Sequence, residues 1–189
     1  MMMKKILSTA LVGFSLLTTA WAEPKTFSPD PAHSGVSFEI RYFFTPINGS
    51  FGEFDATIVH DEEDPSKSTV SATIKVETID TNNEDRDEHL RNEDFFHISE
   101  NPEISFESTS WTKKGENQYL VEGNLSMAGQ TKPVTLNVSL LGTRVDEGVV
   151  VAGWEATTTL DRRDWGIDYG QGVVGNEVTV EIFMEAPEA

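Results

Sequence analysis

The sequence predicts an all-β fold: an eight-stranded antiparallel barrel with a short helix and loop inserted at one mouth. In eight segments, apolar and polar residues alternate with a period of two, as expected for strands that bury one face. Short turn sequences separate several of these segments. A single polar stretch, residues 82–96, interrupts the pattern.

The eight predicted strands follow from this alternation. It is clearest in the third segment, where Val70, Ala72 and Ile74 share one face while Ser71 and Thr73 share the other. The segments are Val36–Tyr42, Phe54–Ile58, Val70–Glu77, Ile104–Phe106, Tyr119–Met127, Val134–Leu140, Val149–Leu160 and Val178–Met184. The apolar phase of the strands places Phe38, Ile58, Ile74, Phe106, Val121 and Val138 inside the barrel. An interior of this size either fills with side chains or holds one small ligand.

The turns and the interruption complete the fold prediction. Four dipeptides have the composition of tight turns, namely Asn48-Gly49, Lys114-Gly115, Ala128-Gly129 and Glu147-Gly148. Residues 82–96 are long enough for about two helical turns after a cap at Thr81 or Asn82. We expect this insertion to lie over one mouth of the barrel and to be functional, because it is longer than a hairpin needs.

The N-terminus predicts an exported protein. Lys4 and Lys5 precede a short apolar run that ends at Ala20-Trp21-Ala22, as in a signal peptide cleaved after Ala22. Residues 23–189 then form one domain, which we expect to be located in the periplasm. The chain contains no cysteine, so disulfides, thiol catalysis and a lipoprotein anchor are excluded.

Charge narrows the range of partners. The net charge of −18 disfavours nucleic acid and the plane of an anionic membrane. Stable insertion into a membrane is also disfavoured, because outward residues such as Lys75 and Glu77 are unsuited to hydrocarbon. The sequence leaves the oligomeric state open, including a homodimer.

Motifs for catalysis and for cofactors are missing from the sequence. The four histidines have no metal-ligand spacing, and there is no nucleophile elbow, phosphate loop or dinucleotide fingerprint. We therefore expect neither a metal nor a cofactor. One enzymatic alternative remains open, a hydrolase or isomerase in which His89 acts with Asp87 or His33 at the barrel mouth.

Several motifs, read in order, resemble the YceI-like family of secreted bacterial proteins. They are Asp30-Pro31-Ala32-His33-Ser34-Gly35, Gly49-Ser50-Phe51-Gly52-Glu53-Phe54, residues 86–96, Pro102-Glu103-Ile104-Ser105-Phe106, Val121-Glu122-Gly123-Asn124-Leu125, Gly129-Gln130-Thr131-Lys132-Pro133-Val134 and Asp161-Arg162-Arg163-Asp164-Trp165-Gly166-Ile167. Their order and spacing cover almost the whole of residues 23–189. The resemblance implies a lipocalin-like barrel that binds an isoprenoid lipid, either a polyprenyl phosphate or an isoprenoid quinone, without catalysis.

Candidate ligand-binding residues follow from this resemblance. The residues alone leave open whether the aromatic side chains fill a solid core or line a tunnel, and the resemblance implies a tunnel. The expected contacts to the lipid are Phe38, Phe43, Phe54, Arg86, His89, Leu90, Phe95, Phe96, Phe106, Trp154 and Trp165. Arg86 and His89 are expected to contact the polar head group at the mouth. In the structural alternative, Arg86 instead pairs with Asp87 or Asp94.

Overall fold

The computed structural model describes residues 23–189, so the predicted signal peptide lies outside the described residues. They form a single curled antiparallel sheet, one α-helix and three short 3-10 turns. The strands are β1 (Lys25–Phe27), β2 (Gly35–Tyr42), β3 (Thr45–Phe51), β4 (Phe54–His60), β5 (Thr69–Lys75), β6 (Ile79–Asp80), β7 (Glu103–Gly115), β8 (Gln118–Met127), β9 (Gln130–Asp146), β10 (Val149–Asp161) and β11 (Val174–Pro187). The helix α1 is Glu84–Arg91, and the 3-10 turns are Pro65–Lys67, Val76–Thr78 and Arg162–Trp165.

The described strands number eleven rather than the predicted eight because three long strands are interrupted. β3 and β4 are separated only by Gly52 and Glu53, and together they pair along one side with β5 and β6. Along their other side they pair with β2 and β1. The pairs β1/β2, β3/β4 and β5/β6 therefore act as three bent strands, and the ring contains eight strands in up-and-down order.

Backbone contacts between the first and last strands complete the ring. β2 pairs with β11 over most of its length. Beyond the interruption, Phe27 of β1 bridges Glu188, and the Ala189 N–H donates to the Thr26 carbonyl over 2.9 Å. The predicted all-β antiparallel barrel is thus confirmed, including the helix within residues 82–96.

The six residues that were predicted to point into the barrel do so. Ile58, Phe106, Val121 and Val138 are buried. Phe38 and Ile74 are partly buried, and both line the interior cavity described below. The alternation therefore predicted which side chains point inward, although it missed the strands β1, β3 and β6.

Two of the four predicted turns are wrong. Asn48 and Gly49 lie inside β3, where a Cβ on Gly49 would come within 2.3 Å of the Phe38 ring, so glycine accommodates that ring instead of forming a turn. The β2–β3 turn is formed by Phe43 and Phe44. Similarly, Lys114 and Gly115 end β7, and the turn is at residues 116–117.

The other two turns are correct, and both place residues in the left-handed region that such turns require. Ala128 and Gly129 have φ values of 48° and 74°, and Glu147 and Gly148 have values of 49° and 89°. The helix cap is shifted by one residue from the prediction. Asn83 is the N-cap, and its side chain accepts a hydrogen bond from the Arg86 N–H over 2.9 Å.

Candidate functional site

A cavity of about 650 Å³ occupies the barrel interior. Its volume lies within the range of about 300–1,000 Å³ typical of small-molecule sites. Close-packed protein interiors leave few voids larger than one water molecule. The interior is therefore not a solid core, and the aromatic side chains around it line a cavity.

Small side chains at mid-barrel leave this space open. Ala56 and Ala72 are direct cross-strand partners in the β4–β5 pair, and Ala156 lies on the opposite part of the wall in β10. All three line the cavity. A larger side chain at any of these positions would extend into the space that they leave.

The two ends of the cavity differ. One end is closed by aromatic rings, because Trp154 packs at 6.4 Å from Phe27, 6.1 Å from Trp111 and 5.1 Å from His60, measured between ring centroids. The other end lies beneath α1, the β2–β3 hairpin and the long loop that precedes β11. We refer to these as the closed end and the mouth.

The closed end is buried and lined by aromatic rings. His60 is buried, with Nδ1 at 3.2 Å from the Ser68 hydroxyl. Burial lowers the pKa of His60, since desolvation penalises its charged form. Within the described residues, His60 Nε2 and the indole nitrogens of Trp111 and Trp154 have no hydrogen-bond partner. This end suits apolar groups rather than charge.

The mouth, by contrast, carries cations. Among the described residues that line the cavity, the basic ones are Arg41, Arg86, His89 and Arg162. No aspartate or glutamate is among these lining residues. This is notable in a chain with 32 acidic and 14 basic residues. The lining at the mouth therefore offers guanidinium donors, and no carboxylate, to a negative or electron-rich ligand group.

Helix α1 orients Arg86 towards this mouth. The Arg86 Nε donates to the Thr81 hydroxyl and its Nη2 donates to the Thr81 carbonyl, each over 2.7 Å. The buried Asp87 accepts hydrogen bonds from the Thr81 N–H and hydroxyl, so it fixes Thr81 in turn. Within residues 23–189, Arg86 forms no ion pair with Asp87 or Asp94, so that predicted pairing is wrong.

His89 lies one turn further along α1. Its Nε2 is 2.9 Å from Asp94, and its ring contacts Phe95 and Tyr169 edge-on, with both centroid distances at 5.0 Å. His33 lies instead on the outer surface near the closed end, where Nδ1 is 2.7 Å from Asp30. His89 therefore has neither Asp87 nor His33 beside it, and the enzymatic arrangement considered from the sequence does not assemble.

Arg162 is a cavity-lining cation that the sequence did not single out. It is only 3% exposed and donates to the carbonyls of Ile167, Gly175 and Val174 over 2.7, 2.7 and 3.3 Å. Burial lowers its pKa, although a guanidinium stays charged in proteins. The Asp161-Arg162-Arg163 motif was visible, but spacing did not reveal which arginine points inward.

Nine of the eleven expected ligand-binding residues line the cavity. The apolar ones are Phe38, Phe54, Leu90, Phe95, Phe96, Phe106 and Trp154, and the polar ones are Arg86 and His89. Phe43 does not, because it lies at the exposed tip of the β2–β3 turn. Trp165 does not because it is buried in a separate cluster, where its indole N–H donates to the Leu125 carbonyl over 3.0 Å. Contact of the nine with a lipid stays a prediction.

Comparison with known proteins identifies the family. The YceI-like domain model matches residues 27–186. The chain belongs to the YceI-like family. It is 35% identical over 188 residues to the UPF0312 protein of Pseudomonas aeruginosa strain LESB58, covering 97% of this chain and 98% of that protein. It is 36% identical over 192 residues to the UPF0312 protein of Serratia proteamaculans, covering 100% of both.

Two solved structures share the fold of this chain. BcnA of Burkholderia cenocepacia superposes with a TM-score of 0.77 at 22% identity, covering 83% of this chain and 98% of that chain. A polyisoprenoid binding domain from Saccharophagus degradans superposes with a TM-score of 0.64 at 12% identity, covering 88% of this chain and 100% of that chain. At these identities the likeness establishes the architecture. Within residues 23–189, no helix has the length and apolar character needed to cross a membrane.

Proposed function

We propose that this YceI-like protein binds one isoprenoid lipid inside its barrel and carries or stores it in the periplasm without chemical change. The observation that carries the proposal is the apolar cavity of about 650 Å³, closed at one end and bordered by cations at the other. The name of the Saccharophagus polyisoprenoid binding domain, which shares this fold, supports the class of ligand. The export signal expected in residues 1–22 supports the compartment.

The shape of the cavity determines how the lipid is held. Each buried methylene is worth about 0.8 kcal/mol relative to water, but a lipid tail is equally well solvated by a bilayer. Apolar burial alone therefore does not favour the protein over the membrane. The net preference comes from the fit of the tail and from contacts to the head group.

The head group lies at the mouth in this proposal. Arg86 retains donors beyond those used by Thr81, and the acid-free wall avoids repulsion of a phosphate or a quinone oxygen. The tail then extends past Phe38 and Phe106 towards Trp154 at the closed end. This orientation places the polar head group beside the arginines of the mouth and the hydrocarbon tail beside the aromatic cluster of the closed end.

Competition binding tests the head-group assignment. Delipidated protein is titrated with a polyprenyl phosphate and with the uncharged polyprenol of the same length. We expect Arg86→Ala to reduce the preference for the phosphate by about 10-fold or more, since a charged hydrogen bond contributes about 1.5–3 kcal/mol. Arg86→Ala also removes two hydrogen bonds to Thr81 and so affects stability. Because such a loss weakens binding of the phosphate and of the polyprenol alike, it does not change the ratio of the two affinities.

The matched control is Arg163→Ala. This neighbour of Arg162 pairs with Asp161 on the surface and is not part of the cavity wall. We expect its phosphate preference to stay within twofold of wild type. If Arg86→Ala leaves the preference for the phosphate unchanged, Arg86 does not contact the head group. Equal losses of this preference in both variants would indicate only a long-range effect of positive charge on the phosphate.

A further inference from the structure

The tip of the β2–β3 hairpin exposes three consecutive aromatic residues beside the cavity mouth. Phe44 is 92% exposed, Phe43 is 56% exposed and Tyr42 is about half exposed. Single exposed apolar residues are common on protein surfaces, but a contiguous aromatic cluster usually marks an interaction site. This cluster, Tyr42, Phe43 and Phe44, is called the aromatic tip below.

The aromatic tip is continuous with the cavity wall. Tyr42 itself lines the cavity, and its ring meets Phe43 edge-on at a centroid distance of 5.2 Å. Phe43 in turn lies 6.5 Å from Phe44. An apolar surface therefore extends from the interior of the barrel to Phe44, the most exposed of the large apolar side chains in residues 23–189.

Two hydrogen bonds anchor the backbone of the tip. The Phe43 N–H donates to the Val173 carbonyl over 2.8 Å, and Arg41 Nη1 donates to the Phe44 carbonyl over 3.1 Å. Phe43 has a φ of 50°, in the left-handed region that bulky residues rarely adopt. Tight hairpin turns with positive φ usually contain Asn or Gly. Phe43 is thus unfavourable for the turn geometry, and both phenylalanines are unfavourable for solubility.

Local charge differs from the charge of the whole molecule. No acidic residue occurs between Glu39 and Glu53, and Arg41 is the one charged residue in this interval. On the other side of the mouth, α1 exposes Glu84, Asp85 and Glu88. The acidic residues on which the expected avoidance of an anionic membrane plane rests are therefore present on the α1 side and absent from the aromatic tip.

We propose that the aromatic tip docks onto the surface of a zwitterionic bilayer and presents the cavity mouth to it for exchange of the ligand. Aromatic rings are favoured at the boundary between lipid head groups and acyl chains. The surrounding acidic surface keeps docking transient and weakens it on anionic lipids. This proposal rests on the proposed function, because an isoprenoid lipid must leave a bilayer to reach the cavity.

Co-sedimentation with vesicles tests the docking step. The probe is vesicles of equal parts phosphatidylcholine and phosphatidylethanolamine, and the test variant is Phe43→Asn with Phe44→Gly. This pair matches the usual residues of a tight turn, so we expect the fold to be retained. We expect the partition of the variant onto vesicles to fall at least tenfold, and wild-type binding to weaken when phosphatidylglycerol replaces part of the lipid.

The control variant removes apolar surface elsewhere. Leu141→Asn with Val145→Asn alters two exposed residues of β9 near the closed end, and we expect its partition to stay within twofold of wild type. The proposal is overturned if wild type does not sediment with vesicles, or if the tip variant sediments equally. It is also overturned if the tip instead mediates a wild-type dimer, seen by analytical ultracentrifugation without lipid.

The rate of ligand transfer separates docking from lipid binding. For a fluorescent isoprenoid delivered from these vesicles, we expect at least fivefold slower transfer to the tip variant, with unchanged affinity when the probe is delivered from detergent. Equal transfer rates overturn the docking proposal and leave the proposed function standing. If wild type does not bind the fluorescent isoprenoid delivered from detergent, the proposed function is contradicted. Sedimentation with vesicles still tests docking in that case.

Discussion

The closed end and the mouth of the barrel both contain several aromatic residues, but they place them in opposite environments. At the closed end, Phe27, Trp111 and Trp154 are buried against one another. At the mouth, Phe43, Phe44 and Tyr169 remain exposed. Aromatic composition alone therefore does not distinguish a core from an exposed surface. The chain connections at each end determine whether the aromatic side chains are buried or exposed.

Those connections differ in their longest segments. The closed end contains two-residue turns at 116–117 and 147–148 and the 61–68 connection. The mouth contains two-residue turns at 43–44 and 128–129 and, in addition, α1 with its following loop, 92–102, and the segment 162–173. These longer segments hold Arg86, His89 and Arg162 around an opening. We expect the closed end to contribute more to stability, and the mouth to serve ligand exchange in the proposed function.

The largest expected difference between the two ends is in stability. Trp154 is only 3% exposed, and we expect Trp154→Ala to lower the free energy of unfolding by about 3–5 kcal/mol, as for other buried aromatic truncations. The matched change at the mouth is Tyr169→Ala, which we expect to cost less than about 1 kcal/mol because that ring is half exposed. Urea denaturation of ligand-free protein measures both values.

Equal costs for the two variants would contradict the assignment of stability to the closed end. A ligand stabilises the native state by mass action, so both variants must be compared after delipidation. The slope of the free energy with urea concentration must also match wild type, which verifies that the same surface unfolds.

A smaller effect concerns pH at the closed end. Because burial lowers the pKa of His60 below its ordinary value of 6.5, the unfolded chain binds a proton there more readily than the native protein does. The contribution of His60 to stability is therefore lost as the pH falls below about 6.5 and towards its native pKa. We expect wild type to lose stability relative to His60→Phe between pH 7.5 and pH 5.

Subtracting the two unfolding curves isolates this effect from the many carboxylates that also titrate. Phenylalanine keeps an aromatic ring against Trp111 and Trp154 and removes the titrating nitrogens. A difference in stability that is constant with pH, or that changes with the opposite sign, would show that the closed end accommodates a charged imidazole.

The sequence predicted the inward face of the strands because period-two alternation reports burial directly. It did not predict the Phe43-Phe44 turn, because neither residue is typical of a turn and Asn48-Gly49 nearby is. Gly49 is instead required by the Phe38 ring, a contact between two strands that no local pattern reveals.

The candidate site was predictable where a motif and the alternation agreed. Phe38, Phe54 and Phe106 line the cavity as expected, since each lies on the inward phase of a strand. Trp165 was misplaced because it lies in a 3-10 turn, where period two gives no direction. The same turn hides Arg162, whose inward orientation depends on three backbone carbonyls brought together by folding.

The central claim, that the barrel interior holds one isoprenoid lipid, is tested most directly by mass spectrometry of an organic extract of the purified protein. We compare wild type with a variant, Ala72→Phe with Ala156→Phe, that fills the cavity from two sides of the wall. We predict about one isoprenoid lipid per wild-type chain and at least fivefold less in the filled variant, with urea denaturation verifying that the variant folds. An extract of wild type without isoprenoid, or equal lipid in a folded, filled variant, would contradict the claim.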